Sequence, residues 1–459
     1  MELIARGISP SAATKSVSIA MTAALLGAAN LVIWFPGESG PDSQSQYAQA
    51  VAGQFDDWHP PVMAWLWSIF RLLADGDGPM FCFHVICYWA GFGLIAVALA
   101  RAGRLLAAWA MLGVALFPSL LTLNVVLLKD VGMGVTLLAA FATVFWYRAQ
   151  DREVPPAIAT SALVLLLYGA LVRANAVFAV VPLLVYIIRP QRLDRPWRLF
   201  AVSIPVALAM VPVADLLNHR VLHAQPLAPI RSLQTFDITG ISFYSGDTAV
   251  FGPGKSFTRD EVTSCYKPAG WDRLAPWGEC RFFWDRLAVS PDLHGIVEKL
   301  DARSVMGAEP NPDLPNLWIA AIVHHPLAYA RHRLANFSSE MQRGASMATP
   351  DTATPKPQRI VLYDLVTASA LWMAIGVGLL IQLAFARSMR RTASIDAALA
   401  LLLSSLSYAS AYLIIGIATE LRYLFWSLIA IFTALVISLS EPKAPSGSPP
   451  RMRLRDGHS

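Results

Sequence analysis

The strongest constraint on this 459-residue chain is a series of apolar blocks, each close to the roughly 20 residues that a helix needs to cross a hydrocarbon core. They show neither the 3.6-residue period of an amphipathic helix nor strand alternation. In lipid, unpaired backbone groups are too costly to leave exposed, so such blocks must be helices. Composition agrees: 55 % of residues are hydrophobic and only 15 % charged, against roughly a quarter charged in soluble domains. The expectation is an all-α polytopic membrane protein.

Spans are read at 16–35, 79–100, 104–121, 127–147, 157–172, 174–188, 198–215, 360–386, 393–416 and 423–440, about ten in all. The first could be a signal peptide cut near Gly27, Ala28 and Ala29, but the apolar run continues to Phe35 and favours an uncleaved span. With a cytoplasmic amino terminus, Arg6 and Lys15, Arg101 and Arg104, Arg148 and Arg152, the arginines at 189–198, Arg387, Arg390 and Arg391, and the basic tail all fall on the cytoplasmic side. The opposite short loops carry only Arg71, Lys129, Arg173 and Arg422, so the positive-inside rule places both termini in the cytoplasm. The segment 59–73, rich in tryptophan, reads as a helix lying along the interface.

The domain plan is a cytoplasmic 1–15, a membrane core 16–215 with its first outer loop at 36–78, an outer domain 216–358, final spans in 359–440, and a disordered basic tail 441–459. Cys265 and Cys280 are the outer domain's only cysteines and would form a disulfide in an oxidising compartment. Cys82 and Cys87 lie within a span and read as packing. Trp271, Trp277, Trp284 and Trp318 read first as the core of that domain, with stacking on sugars the alternative.

On this topology the unusual polar residues converge on the outer face. Asp42, Asp57 and His59 occupy the first loop; Lys129 and Asp130, then Arg173 and Asn175, and finally Glu420, Arg422 and Tyr423 lie at later span ends. A charge just inside an apolar run requires a partner or a water-filled cavity, so Lys129 and Asp130 form either an ion pair that fixes packing or part of a site. Asp42 could equally cap a short helix starting near Ser43, and Asp57 with His59 could form a structural turn. Guanidinium forks at Arg173 and Arg422 suit phosphate or carboxylate, or could pair with Asp130 and Glu420. No Gly-rich phosphate loop or paired-histidine metal spacing is present. His324, His325 and His332 read as an interfacial helix rather than a metal site, and nucleic acid is not an expected partner.

The first-loop acid, the His-Pro-Pro segment that follows it, the acid at the next outer loop and the late outer domain together resemble the GT-C superfamily of membrane glycosyltransferases, which includes protein mannosyltransferases and aminoarabinose transferases. The closer likeness is to uncharacterised bacterial membrane proteins carrying counterparts of WHPPVMAWLW, LLKDVGMG, LVRANAVF, FDITGIS, HHPLAYARHRL and ELRYLFW. The resemblance implies a multi-pass protein of the bacterial inner membrane that takes a sugar from a polyprenyl-phosphate donor held in membrane lipid. Its acceptor would be a glycan, lipid or protein at the periplasmic face. It also implies Asp42 as the residue that deprotonates or orients the acceptor, Lys129, Arg173 and Arg422 on the leaving phosphate, Asp57 and His59 on the acceptor side, and Asp130 orienting Lys129. Asp42 is followed by serine and glutamine where many members carry a second acid, so a divalent metal, Mg or Mn, is admitted but not required. Transport or flipping of a lipid-linked sugar is the alternative, with another lipid-dependent transferase or an assembly role behind it.

Overall fold

The computed structural model describes residues 10–188, 196–342 and 368–441. Among these the architecture is all-helical, with three isolated bridges and no sheet. The principal helices are α1 (Pro10–Trp34), α2 (Pro41–Ala52), α3 (Val62–Phe70), α4 (Gly78–Arg101), α5 (Leu105–Ala115), α6 (Pro118–Val125), α7 (Lys129–Arg148), α8 (Pro156–Leu171), α9 (Val177–Ile188), α10 (Pro196–Asp215), α11 (Ile230–Ser245), α12 (Leu314–His324), α13 (Pro326–Gln342), α14 (Ser369–Met389), α15 (Ala393–Ile415) and α16 (Phe425–Leu439).

Seven stretches among the described residues are long and apolar enough to cross a membrane, eight if α5 and α6 form one broken span. Of the ten expected spans, two fall short of a full crossing among the described residues. α8 has 16 residues, under the ~17 needed for a perpendicular crossing, and the described part of α9 has 12. Local chemistry explains the breaks. Pro118 starts α6 and takes α5 and α6 51° apart, because proline cannot continue the preceding helix's hydrogen bonds. Arg173, extended at φ −150° and ψ 124°, interrupts the run between α8 and α9. The expected span at 198–215 lies at Ile204–Val221, and that at 360–386 is helical from Ser369, residues 360–367 lying outside those described.

α7 is the bundle's centre, packed on α4, α8 and α16, while α15 packs on α16 and α9, and α1 lies outside against α4. At one end Arg101 stacks on Trp146 at 4.6 Å, Arg104 reaches Ser394 at 2.7 Å, Arg387 pairs with Asp396 at 2.5 Å, and Arg390 pairs with Glu441 at 2.8 Å. This is the end to which the charge pattern assigns the cytoplasm. The basic tail from 442 lies outside the described residues.

The first loop folds over the other end. Pro41 at the first helical position starts α2, and Gly53, left-handed at φ 63°, ends it. The 59–73 stretch is α3, only nine residues long, with Trp67 fully buried beneath Tyr47 and Trp65 half-exposed. Between Phe236 and Ala328 the chain gathers around a second core that includes Phe236, Trp271, Phe283 and Trp284, while Leu217, Leu222, Phe337 and Met341 pack on the first. Trp271 and Trp284 thus build that core, while Trp277 is half-exposed. Cys265 and Cys280 are joined by a disulfide, with Cα atoms 5.9 Å apart. Trp58 of the first loop meets Trp284 edge-on at 6.0 Å and so attaches the loop to this second unit.

Candidate functional site

The start of α7 is placed by the first loop. Glu38 donates its N–H to the Val125 carbonyl at 3.0 Å and accepts from the Leu127 N–H at 2.9 Å, and Ser43 Oγ donates to the Leu127 carbonyl. Gly37 permits this approach: its φ is +93°, and a Cβ there would fall 2.8 Å from the Phe81 ring. The result brings the first turn of α2 against the first turn of α7.

Asp42, in the first turn of α2, is where the charges meet. Its Oδ2 lies 3.2 Å from Lys129 Nζ and accepts from Arg422 Nη1 at 3.0 Å, while its Oδ1 lies 3.5 Å from His59 Nε2. Burial alone would raise the Asp42 pKa, but His59, Lys129 and Arg422 outweigh it and hold the carboxyl well below the usual range. Burial, with Lys129 adding to it, holds His59 below its ordinary pKa despite Asp42. Glu420 pairs with Arg422 at 2.7 Å, and burial holds its carboxyl above the usual value.

A second group adjoins the first. Asp130, fully buried, forms an ion pair with Arg173, whose Nη2 donates to the Tyr412 hydroxyl at 2.7 Å and whose Nε donates to Asn175 Oδ1 at 3.1 Å. The Tyr412 and Tyr408 hydroxyls are 3.0 Å apart. Tyr423 lies between the two groups, its ring 4.8 Å from the Arg173 guanidinium and 5.3 Å from that of Arg422. Lys129 and Asp130 therefore do not pair with each other; each faces a different partner.

Of the residues picked from sequence, Asp42, His59, Lys129, Asp130, Arg173, Asn175, Glu420, Arg422 and Tyr423 come together. Asp57 does not. Its carboxylate accepts from the Leu227 N–H at 2.5 Å and lies 3.3 Å from His219 Nε2, stapling the first loop to the second unit. Asn124 bonds Asn30 at 3.4 Å between α6 and α1. Tyr408 and Tyr412 escaped notice in sequence, although two tyrosines four residues apart near the end of an apolar span share one helix face.

The donors around Asp42 do not fit a divalent cation, because both carboxylate oxygens already face Lys129, Arg422 and His59. Among the described residues no three His, Cys, Asp or Glu side chains gather as a metal site. The three histidines considered above diverge: His324 bonds the Ala320 carbonyl, His325 faces Asp247 at 3.1 Å, and His332 faces Asp237 at 3.0 Å.

Lys129, Arg173 and Arg422 balance Asp42, Asp130 and Glu420, so the cluster is neutral with His59 unprotonated. An arriving oxyanion could take over cations that now hold carboxylates, and the freed carboxylate or imidazole could accept a proton. Compared with family models, curated proteins and solved structures, the chain matches none, and what its own residues establish is a polytopic helical membrane protein with this charged cluster at one end of its bundle.

Proposed function

We propose that this chain is a membrane glycosyltransferase that moves a sugar from a polyprenyl-phosphate donor to a hydroxyl acceptor at the outer, periplasmic face of a bacterial inner membrane. The observation that carries this reading is the meeting of Asp42 and His59 with Lys129 and Arg422 at the membrane end of α7. A displacement at the anomeric carbon needs a proton acceptor on one side and positive charge for the departing phosphate on the other, and both are within one cluster. The acceptor oxygen would bond to the sugar carbon as the carbon–phosphate-oxygen bond breaks. The hydroxyl proton passes to His59, with Asp42 orienting it, while Lys129 and Arg422 neutralise the polyprenyl phosphate. The likeness to GT-C enzymes and the collection of arginines at the opposite end of the bundle support the same sidedness.

Transport of a lipid-linked sugar is the competing reading. It predicts charged residues near span midpoints, whereas these gather at span ends. The deciding experiment supplies membranes with radiolabelled polyprenyl-phosphate sugars and compares the native chain with Asp42→Asn and His59→Gln at matched expression. Transfer by the native chain that is lost in both variants supports the assignment. Transfer that survives in both rejects this cluster as the reaction centre, and movement of the lipid-linked sugar between leaflets without transfer favours transport.

A further inference from the structure

A polar cavity of about 760 Å³ opens in the second unit between the 253–256 turn and the segment 279–298, away from the Asp42 cluster. Its charges are unevenly satisfied. Arg281 is fully engaged, with Asp285 at 3.1 Å, the Leu300 carbonyl at 2.9 Å and the Val297 carbonyl at 2.6 Å. Glu279 pairs with Arg273. The Lys255 ammonium, by contrast, is shielded from solvent and has no hydrogen-bond partner among the described residues. Burial holds the Lys255 pKa below its ordinary value, against a pull from the Asp313 charge. Arg286 is also only lightly held: it donates to the Ser256 carbonyl at 3.3 Å and lies 3.8 Å from Glu261.

A shielded ammonium without an acceptor is costly, and it forms strong charge-assisted bonds when an oxyanion reaches it. The carboxylates of Glu279 and Asp285 are engaged elsewhere, Glu298 is exposed at the rim, and Asp313 acts on Lys255 through space without a hydrogen bond to it, so a direct acceptor for the ammonium would come from a ligand. Beside these donors the Phe282 ring lines the cavity, with the Arg286 guanidinium 5.2 Å from its centroid. An aromatic ring next to an unpartnered ammonium and a lightly held guanidinium suits a ligand with an apolar ring face and an anionic substituent. The geometry points to a binding site for a saccharide bearing an oxyanion, carboxylate or phosphate, with Lys255 and Arg286 holding the anion and Phe282 the sugar ring. This site is separate from the transferase reading and stands or falls without it.

The test is calorimetric titration of the full chain in detergent with trigalacturonate, glucose 6-phosphate, maltotriose and inorganic phosphate, each at millimolar concentration. At least one charged saccharide is expected to bind more tightly than both maltotriose and phosphate, and comparing the two charged saccharides identifies the preferred oxyanion. Lys255→Met and Arg286→Met should each weaken that binding about tenfold or more, while Arg331→Met, on an exposed face of α13, leaves it unchanged. Unaltered melting of the variants separates lost binding from lost folding. The inference is overturned if neither charged saccharide binds, if inorganic phosphate binds as well as the sugars, or if both cavity variants that melt like the native chain also bind like it.

Discussion

Replacing Arg333 with methionine tests how the second unit is fastened to the loop that carries Glu420 and Arg422. Arg333, on α13, is buried and pairs with Asp237 of α11, a carboxylate with no exposed surface. Its Nη1 also donates to the Gly416 carbonyl at 2.6 Å, just beyond the end of α15. Methionine keeps much of the apolar stem but removes the charge, leaving Asp237 with His332 Nε2 at 3.0 Å and Trp318 Nε1 at 2.8 Å. Removing one partner of a buried ion pair costs about 3–5 kcal/mol. Asn336 still donates to Gly416 at 2.9 Å, and His332 can take up part of the lost positive charge, so the lower figure applies. At about 2–4 °C per kcal/mol, a loss of about 3 kcal/mol lowers the melting temperature of the detergent-solubilised protein by roughly 6–12 °C, read by tryptophan fluorescence.

The pH dependence gives a sharper signature. His332 is held below its ordinary pKa by burial first, with Arg333 adding to that and Asp237 opposing it; the Tyr266 hydroxyl, 2.8 Å from Nδ1, is the other titratable neighbour. Below about pH 6.5 the unfolded chain binds a proton that the folded histidine resists, so this site costs the native protein stability as pH falls towards the lowered folded value. Without Arg333 the folded ring accepts the proton more readily. The melting difference between native and variant should therefore narrow on acidification. A difference that stays constant or widens, or a neutral-pH loss no larger than that of Arg331→Met, would refute the argument.

Three other outcomes are expected. Gly240→Ala should lose about 1–3 kcal/mol by the same melting assay, because the added Cβ would fall 2.1 Å from His332 Nδ1 and force the ring off α11; native-like melting would contradict that packing. The Cys265–Cys280 bridge spans 15 residues, so Cys265→Ser with Cys280→Ser should cost about 3 kcal/mol and abolish any melting shift on adding reductant. Asp57→Ala should speed hydrogen exchange at the Leu227 amide, which loses its acceptor, while Asp42→Asn leaves that amide unchanged; equal exchange in the two would sink the division between staple and cluster.

Helical membrane architecture was legible because hydropathy and charge are properties of contiguous residues, and lipid leaves backbone groups in such a block only one way to pair. The clustering of polar side chains at one end was legible for the same reason, since span ends alternate sides of a bundle. Span number was less so: the break at Arg173 is visible as the junction of the 157–172 and 174–188 blocks, but a helix of 16 residues looks much like a crossing in a smoothed profile.

Pairing required three dimensions. Lys129 and Asp130 are adjacent in sequence, yet successive helical residues point about 100° apart, and they face Asp42 and Arg173 respectively. Asp57 and Asp42 look equivalent in the first loop, but α2 directs one into the cluster while the 55–58 turn gives the other to Leu227 and His219. Asp237 and His332 meet across 95 residues because Gly240 leaves room for the ring. The sequence by itself determined the solvent of this chain, its helices and the end where its polar groups collect; the tertiary structure decided which acid each cation holds, because a buried charge is matched by direction and distance in space and not by position along the chain.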